Sequence, residues 1–110
     1  MTKTSLVLLT LVLAGCGSAL RGEPTQPPVR LTSAEAQEGE RVYMRHCQQC
    51  HPGGAGGLGP SLNDKPLPAF LMRLQVRRGL GSMPAFGPDT IDDHELDALI
   101  AYMLELRRNG

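Results

Sequence analysis

The sequence predicts an all-α domain, small and rich in loops. Three stretches repeat apolar residues at helical spacing, and no stretch alternates apolar and polar residues as a half-buried strand would. Only five Val and Ile residues follow Cys16, namely Val29, Val42, Val76, Ile91 and Ile100.

The chain opens with Lys3 and then Leu6, Val7, Leu8, Leu9, Leu11, Val12 and Leu13, the charged and apolar regions of an export signal too short to span a bilayer. The segment closes on Leu13-Ala14-Gly15-Cys16, which resembles the lipobox of bacterial lipoproteins. That resemblance implies removal of residues 1–15 and a lipidated Cys16 as the first mature residue. An ordinary signal cut after Ala19 is the alternative, because Gly17-Ser18-Ala19 is also small-x-small. Residues 16–31 carry Pro24, Pro27 and Pro28 without apolar periodicity, and read as a tether that reaches roughly 45 Å if it approaches polyproline extension. The expected location is the extracytoplasmic or periplasmic side, with the membrane reached through the lipid on Cys16. Gly17 stands where an Asp often retains such lipoproteins in the inner membrane, which leaves both the inner and the outer membrane open.

Residues 32–110 form the predicted folded domain. Thr32 followed by Glu35 reads as a capping box opening a helix to about His46, with Ala36, Gly39 and Tyr43 on one face. A second helix starts near Pro68 and stops at Gly79, with Phe70, Leu71 and Leu74 as its apolar side and Arg73 and Arg77 pointing elsewhere. Thr90 and Asp93 suggest the cap of a third, in which Leu96, Leu99, Ile100, Met103 and Leu106 recur up to Arg107 and Arg108.

Eleven basic residues balance eleven acidic ones, so neither nucleic-acid binding nor a polybasic membrane surface is supported. Thirteen Gly, nine Pro, two Tyr, two Phe and no Trp leave few large side chains for a core. A domain of this size rarely gains more than about 3–5 kcal/mol from its own core, so it needs a staple.

Cys47-Gln48-Gln49-Cys50-His51 supplies one: C-x-x-C-H is the attachment signature of covalent haem. Two thiols on one turn each add to a porphyrin vinyl group, and the adjacent imidazole is carried beneath the iron. His51 would bind through Nε2 while its Nδ1–H meets an acceptor just downstream. Three other readings stand beside this one. A thioredoxin-like redox pair wants a βαβ context, a zinc site wants four ligands from Cys47, Cys50, His46, His51 and His94, and a disulfide between the two cysteines closes a very small loop. Met83 lies in an irregular Gly/Pro-flanked loop that can project a thioether towards iron; it could instead fill a core gap, with the sixth site of the iron empty, water-bound or taken by His94. Gly54-Ala55-Gly56-Gly57-Leu58-Gly59 matches G-x-G-x-x-G by letter, but no strand precedes it and no nucleotide is expected. Arg73, Arg77 and Arg78 read as solvated helix surface ahead of propionate partners.

With these motifs in this order, residues 32–110 resemble the small single-haem class I cytochromes c. The resemblance implies three short helices and extended loops around one covalent haem c. It makes Gly39 and Tyr43 the crossing positions of the first helix, with Leu99 and Tyr102 as partners. It also implies that the Pro60 carbonyl, in Gly59-Pro60-Ser61-Leu62, accepts the hydrogen bond from His51. Met83, in Gly81-Ser82-Met83-Pro84-Ala85-Phe86, is the family's sixth-ligand position.

Histidine and thioether together leave iron no open position, which disfavours oxygen or peroxide chemistry and leaves one-electron transfer between redox protein partners. Two other functions remain open: a fixed haem subunit serving a neighbouring oxidoreductase, and a ligand sensor in which Met83 detaches.

Overall fold

The computed structural model describes residues 29–109. The export signal and the lipidated Cys16 of the sequence reading lie outside these residues, as does most of the tether. Three helices follow in order, α1 (Ala34–His46), α2 (Ala69–Arg78) and α3 (Asp93–Asn109), with a short 3-10 turn at Pro52–Gly54 between the first two. Among the described residues there is no strand, only an isolated bridge between Leu80 and Met83, and no helix is long and apolar enough to cross a membrane.

The core sits where α1 crosses α3. Val42, Tyr43, Ile91 and Leu99 are fully buried there, with Leu96, Ile100, Tyr102 and Leu106 beside them. Gly39 makes the crossing close: a β-carbon on it would stand 1.9 Å from the Ala98 carbonyl oxygen and 2.8 Å from Tyr102 Cβ. The partners of Gly39 are therefore Ala98 and Tyr102, one turn apart, while Leu99 is buried on the neighbouring side. One turn from Gly39, the Tyr43 and Tyr102 rings meet at 5.1 Å and 59°, a tilted pair that fixes how the helices are rotated.

Both predicted caps move by a residue or two. Ser33, not Thr32, caps α1, its hydroxyl accepting from the Ala36 N–H at 3.0 Å. Thr32 is engaged elsewhere: its N–H and its hydroxyl both donate to the Glu105 carboxylate at 2.9 Å, joined by the Ser33 hydroxyl at 3.2 Å. Asp92, not Thr90, opens α3 in a capping box with Glu95, whose N–H donates to Asp92 Oδ1 at 2.8 Å while the Asp92 N–H donates back to Glu95 Oε2 at 3.2 Å. Asp93 is left to pair with Arg77. Val29 and Leu31, assigned to the tether by sequence, pack against the core.

The donors around Glu105 hold its carboxyl below the usual value of 4.5, the Thr32 backbone N–H first and then the Thr32 and Ser33 hydroxyls. A lowered folded value means the clamp contributes its stability above 4.5 and loses it as pH falls through the lowered value. Glu105→Gln is therefore expected to lower the urea midpoint near neutral pH, with the gap to the parent closing as pH drops below 4.5. A gap that stays constant with pH would contradict the clamp.

The predicted apolar side of α2 is the largest correction. Met72 and Val76 are the residues it buries against the core, while Phe70, Leu71 and Leu74 are 67%, 36% and 43% exposed. Leu67, Leu71, Leu74, Gln75, Arg78 and Gly79 line an open groove along this helix. The reason lies in the polar side: Arg73 pairs with Asp97 of α3, and Arg77 donates to Phe86 and Ile91 carbonyls and to Asp93. Those anchors turn the helix so that Met72 and Val76, four apart, face inward. Gly79, at φ 68, then ends α2 with its N–H on the Gln75 carbonyl at 2.8 Å.

Candidate cofactor site

α1 ends in a turn that displays the two cysteines. The Cys47 N–H closes the helix on the Tyr43 carbonyl at 2.8 Å, and the Cys50 and His51 N–H groups both return to the Cys47 carbonyl, at 3.1 and 2.9 Å. Both thiols are free and half-buried. Burial, and the Cys50 thiol next to it, push Cys47 up to about 12, so it is a neutral thiol at ordinary pH. A redox nucleophile of the thioredoxin type needs the opposite shift.

His51 is buried and held from two sides. Its Nδ1 hydrogen-bonds the Pro60 carbonyl at 2.8 Å, which leaves Nε2 as the nitrogen free to ligate. Its own carbonyl accepts from the Tyr43 hydroxyl, and that hydroxyl accepts from the Gly54 N–H at 3.0 Å. Burial raises the Tyr43 phenol above its ordinary value, so it stays protonated and able to donate. Gly59 gives the ring its space, since a β-carbon there would lie 2.3 Å from His51 Cε1.

The loop between is pinned at several points. Gly59 N–H donates to the Cys50 carbonyl at 2.8 Å, and Leu62 N–H to the Gly54 carbonyl at 2.7 Å. Gln48 Oε1 accepts from the Gly53 N–H at 2.9 Å and Asn63 Nδ2 donates to the Gly53 carbonyl at 3.1 Å. A 3-10 turn opens the glycine run and no helix follows it at once; Gly59 packs against the His51 ring, while Gly54 packs against Asn63 and Leu106 and Gly57 against Pro52.

Cys47, Cys50, His51 and Pro60 thus converge on one turn. Met83 stands on a different segment, the loop between α2 and α3, half-buried and held by paired backbone bonds with Leu80 at 2.9 and 3.1 Å. The two segments meet where Phe86 packs edge-on against His46, the last residue of α1, with centroids 5.8 Å apart. His94 is exposed on the first turn of α3. Met72 belongs to the core and Met44 is exposed.

These residues fit a covalent haem. Two unpaired thiols on a turn match two vinyl additions, the oriented imidazole presents one free nitrogen, and Leu67, Leu71 and Leu74 leave apolar surface that no described residue covers. A four-ligand zinc site lacks its donor set, since no cluster of three or more His, Cys, Asp or Glu suited to a metal occurs among the described residues. Tyr43 is the site residue sequence reasoning missed. It was legible only as a helix-crossing aromatic, although a buried phenol usually has a hydrogen-bond partner.

Comparison with known proteins gives the family. A family model described as cytochrome c oxidase, cbb3-type, subunit III matches residues 34–103. Cytochrome c6 of Bryopsis maxima is 35% identical over 82 residues, covering 66% of this chain and 92% of its own. Cytochrome c-551 of Bacillus subtilis is 29% identical over 100 residues, covering 88% of this chain and 87% of its own. The 4-cresol dehydrogenase [hydroxylating] cytochrome c subunit of Pseudomonas putida is 34% identical over 68 residues, covering 62% and 59%. No solved structure matches significantly.

Proposed function

Since this chain belongs to the cytochrome c family, as a class I electron-transfer protein with covalent haem c and not an enzyme, we propose that it is a tethered one-electron carrier with His51 and Met83 as axial ligands. The observation that carries the reading is the Cys47–His51 turn, with two free thiols and an imidazole whose Nδ1 is taken by Pro60. When bound, the haem supplies an Fe(II)/Fe(III) couple. The chain's residues do the rest. Cys47 and Cys50 would hold the haem as thioethers, Pro60 and Tyr43 fix the orientation of His51, and the Met83 thioether would serve as the second protein ligand, favouring ferrous iron and excluding water.

Met83→Ala tests the ligand set. The reduction potential is expected to fall by about 0.1 V or more, inside the roughly 0.8 V range that axial ligation spans, and the iron to take up imidazole or carbon monoxide. An unchanged potential would refute Met83.

Lipid on Cys16 and the Pro-rich residues 16–28 would hold this domain at the extracytoplasmic face of a bacterial membrane while redox protein partners, a donor and an acceptor, dock in turn. Cys16→Ser is expected to move the protein from the membrane fraction to the soluble fraction; continued sedimentation with membranes would argue for another tether. The cytochrome c subunit from Pseudomonas putida supports a second reading, a fixed haem subunit relaying electrons for a partner oxidoreductase. Purification with one partner in constant ratio would favour it over the shuttle.

A further inference from the structure

Arg77 lies on α2, six residues before Met83, and its side chain is only 22% exposed. Its Nη1 donates to two backbone carbonyls of the following loop, Phe86 at 3.0 Å and Ile91 at 2.5 Å, and its Nη2 to Asp93 Oδ1 at 2.7 Å. The near end of that loop is fixed by backbone: the Leu80–Met83 pair closes it, and Gly79 packs so tightly that a β-carbon would stand 2.4 Å from the Met83 carbonyl oxygen. The far end is different. Phe86 N–H reaches the Val76 carbonyl at 2.9 Å, and among the described residues Arg77 alone gives side-chain hydrogen bonds to the backbone of residues 83–91.

Resting on the reading of Met83 as a ligand, we propose that Arg77 is a positioning residue for that thioether, clamping the far end of its loop to α2 and to the start of α3. A planar guanidinium suits the task, because its rigid fork addresses two carbonyls and a carboxylate at once, which an ammonium on a flexible stem cannot do equally well. The carbonyl bonds carry the effect. Asp93 is 94% exposed, and an ion pair to so open a carboxylate contributes little. With both carbonyls held, Met83 returns to the same place after each excursion, so an outside ligand competes poorly for its position. The Phe86–His46 contact then keeps the clamped loop against the end of α1.

The test is imidazole binding to the ferric, haem-loaded full chain, read together with the red absorption band that thioether ligation gives ferric haem. Arg77→Met is expected to tighten imidazole binding about tenfold or more and to weaken the band. Arg77→Lys is expected to fall between parent and Arg77→Met, and Asp93→Asn to shift binding less than about threefold. In a Met83→Ala background the Arg77 substitutions are expected to change imidazole affinity by less than about twofold, since the two act as one unit. No change on Arg77→Met in the parent, the same tightening in both backgrounds, or an Asp93→Asn effect as large as that of Arg77→Met would overturn the proposal. If Arg77→Met does not yield folded protein, Arg77→Lys decides on the same criteria. Failure of the ligand reading is distinct: Met83→Ala alone would then leave imidazole affinity unchanged.

Discussion

Replacing Cys47 and Cys50 together by alanine is expected to abolish haem that survives denaturation. Each thiol is free and presented on a turn whose shape comes from four backbone hydrogen bonds converging on the Tyr43 and Cys47 carbonyls. Alanine keeps that turn, because neither sulfur takes part in it. The double variant therefore removes the bonding atoms and little else. Either single variant should retain one thioether and a weaker, altered attachment. The readout is haem remaining with the polypeptide after acid-acetone extraction, checked by intact mass. Covalent haem in the double variant would refute the site. Loss of the group is also expected to destabilise the domain severely, since a core of this size supplies only about 3–5 kcal/mol by itself.

The second large effect is expected at the helix crossing. Gly39→Ala adds one methyl group where the nearest atoms are a backbone carbonyl at 1.9 Å, its carbon at 2.5 Å and Tyr102 Cβ at 2.8 Å. None of these can rotate away, so α1 and α3 must separate. Alanine favours helix over glycine by about 1 kcal/mol, which acts in the opposite direction. Overpacking a tight site costs about 1–3 kcal/mol or more, and contact with rigid backbone belongs at the upper end. The net loss should be about 2 kcal/mol, equivalent to a fall in Tm of about 10 °C for a domain of this length. The damage should also reach the cofactor side, because Tyr43 one turn on carries both the Tyr102 contact and the hydroxyl bound to His51. Thermal unfolding of the haem-loaded protein checks this; an equal or higher Tm would contradict the crossing.

Much of the fold was legible because its signals are local. The helices end near where Pro68, Gly79 and the Arg107–Arg108 pair suggested, and C-x-x-C-H is a five-residue statement about chemistry. What was misread depended on partners far along the chain. Thr32 has the chemistry of a cap, but Glu105, 73 positions away, takes its hydroxyl and N–H, so Ser33 caps instead. Arg77 reads as solvated surface until carbonyls nine and fourteen residues on are brought to it. Phe70, Leu71 and Leu74 are the obvious apolar face of α2 by composition, yet Met72 and Val76 are the ones buried in protein.

The sequence by itself determined the helical class, the attachment motif and the kind of cofactor, because helical periodicity and the spacing of two thiols and an imidazole are properties of adjacent residues. Only the tertiary structure decided which face of α2 meets the core, which residues cap α1 and α3, and which side chains hold His51 and the Met83 loop. Those choices are set by competition for hydrogen-bond partners and by steric closeness between segments distant in sequence. A single string of residues holds the competitors, but only the packed chain shows which of them meet.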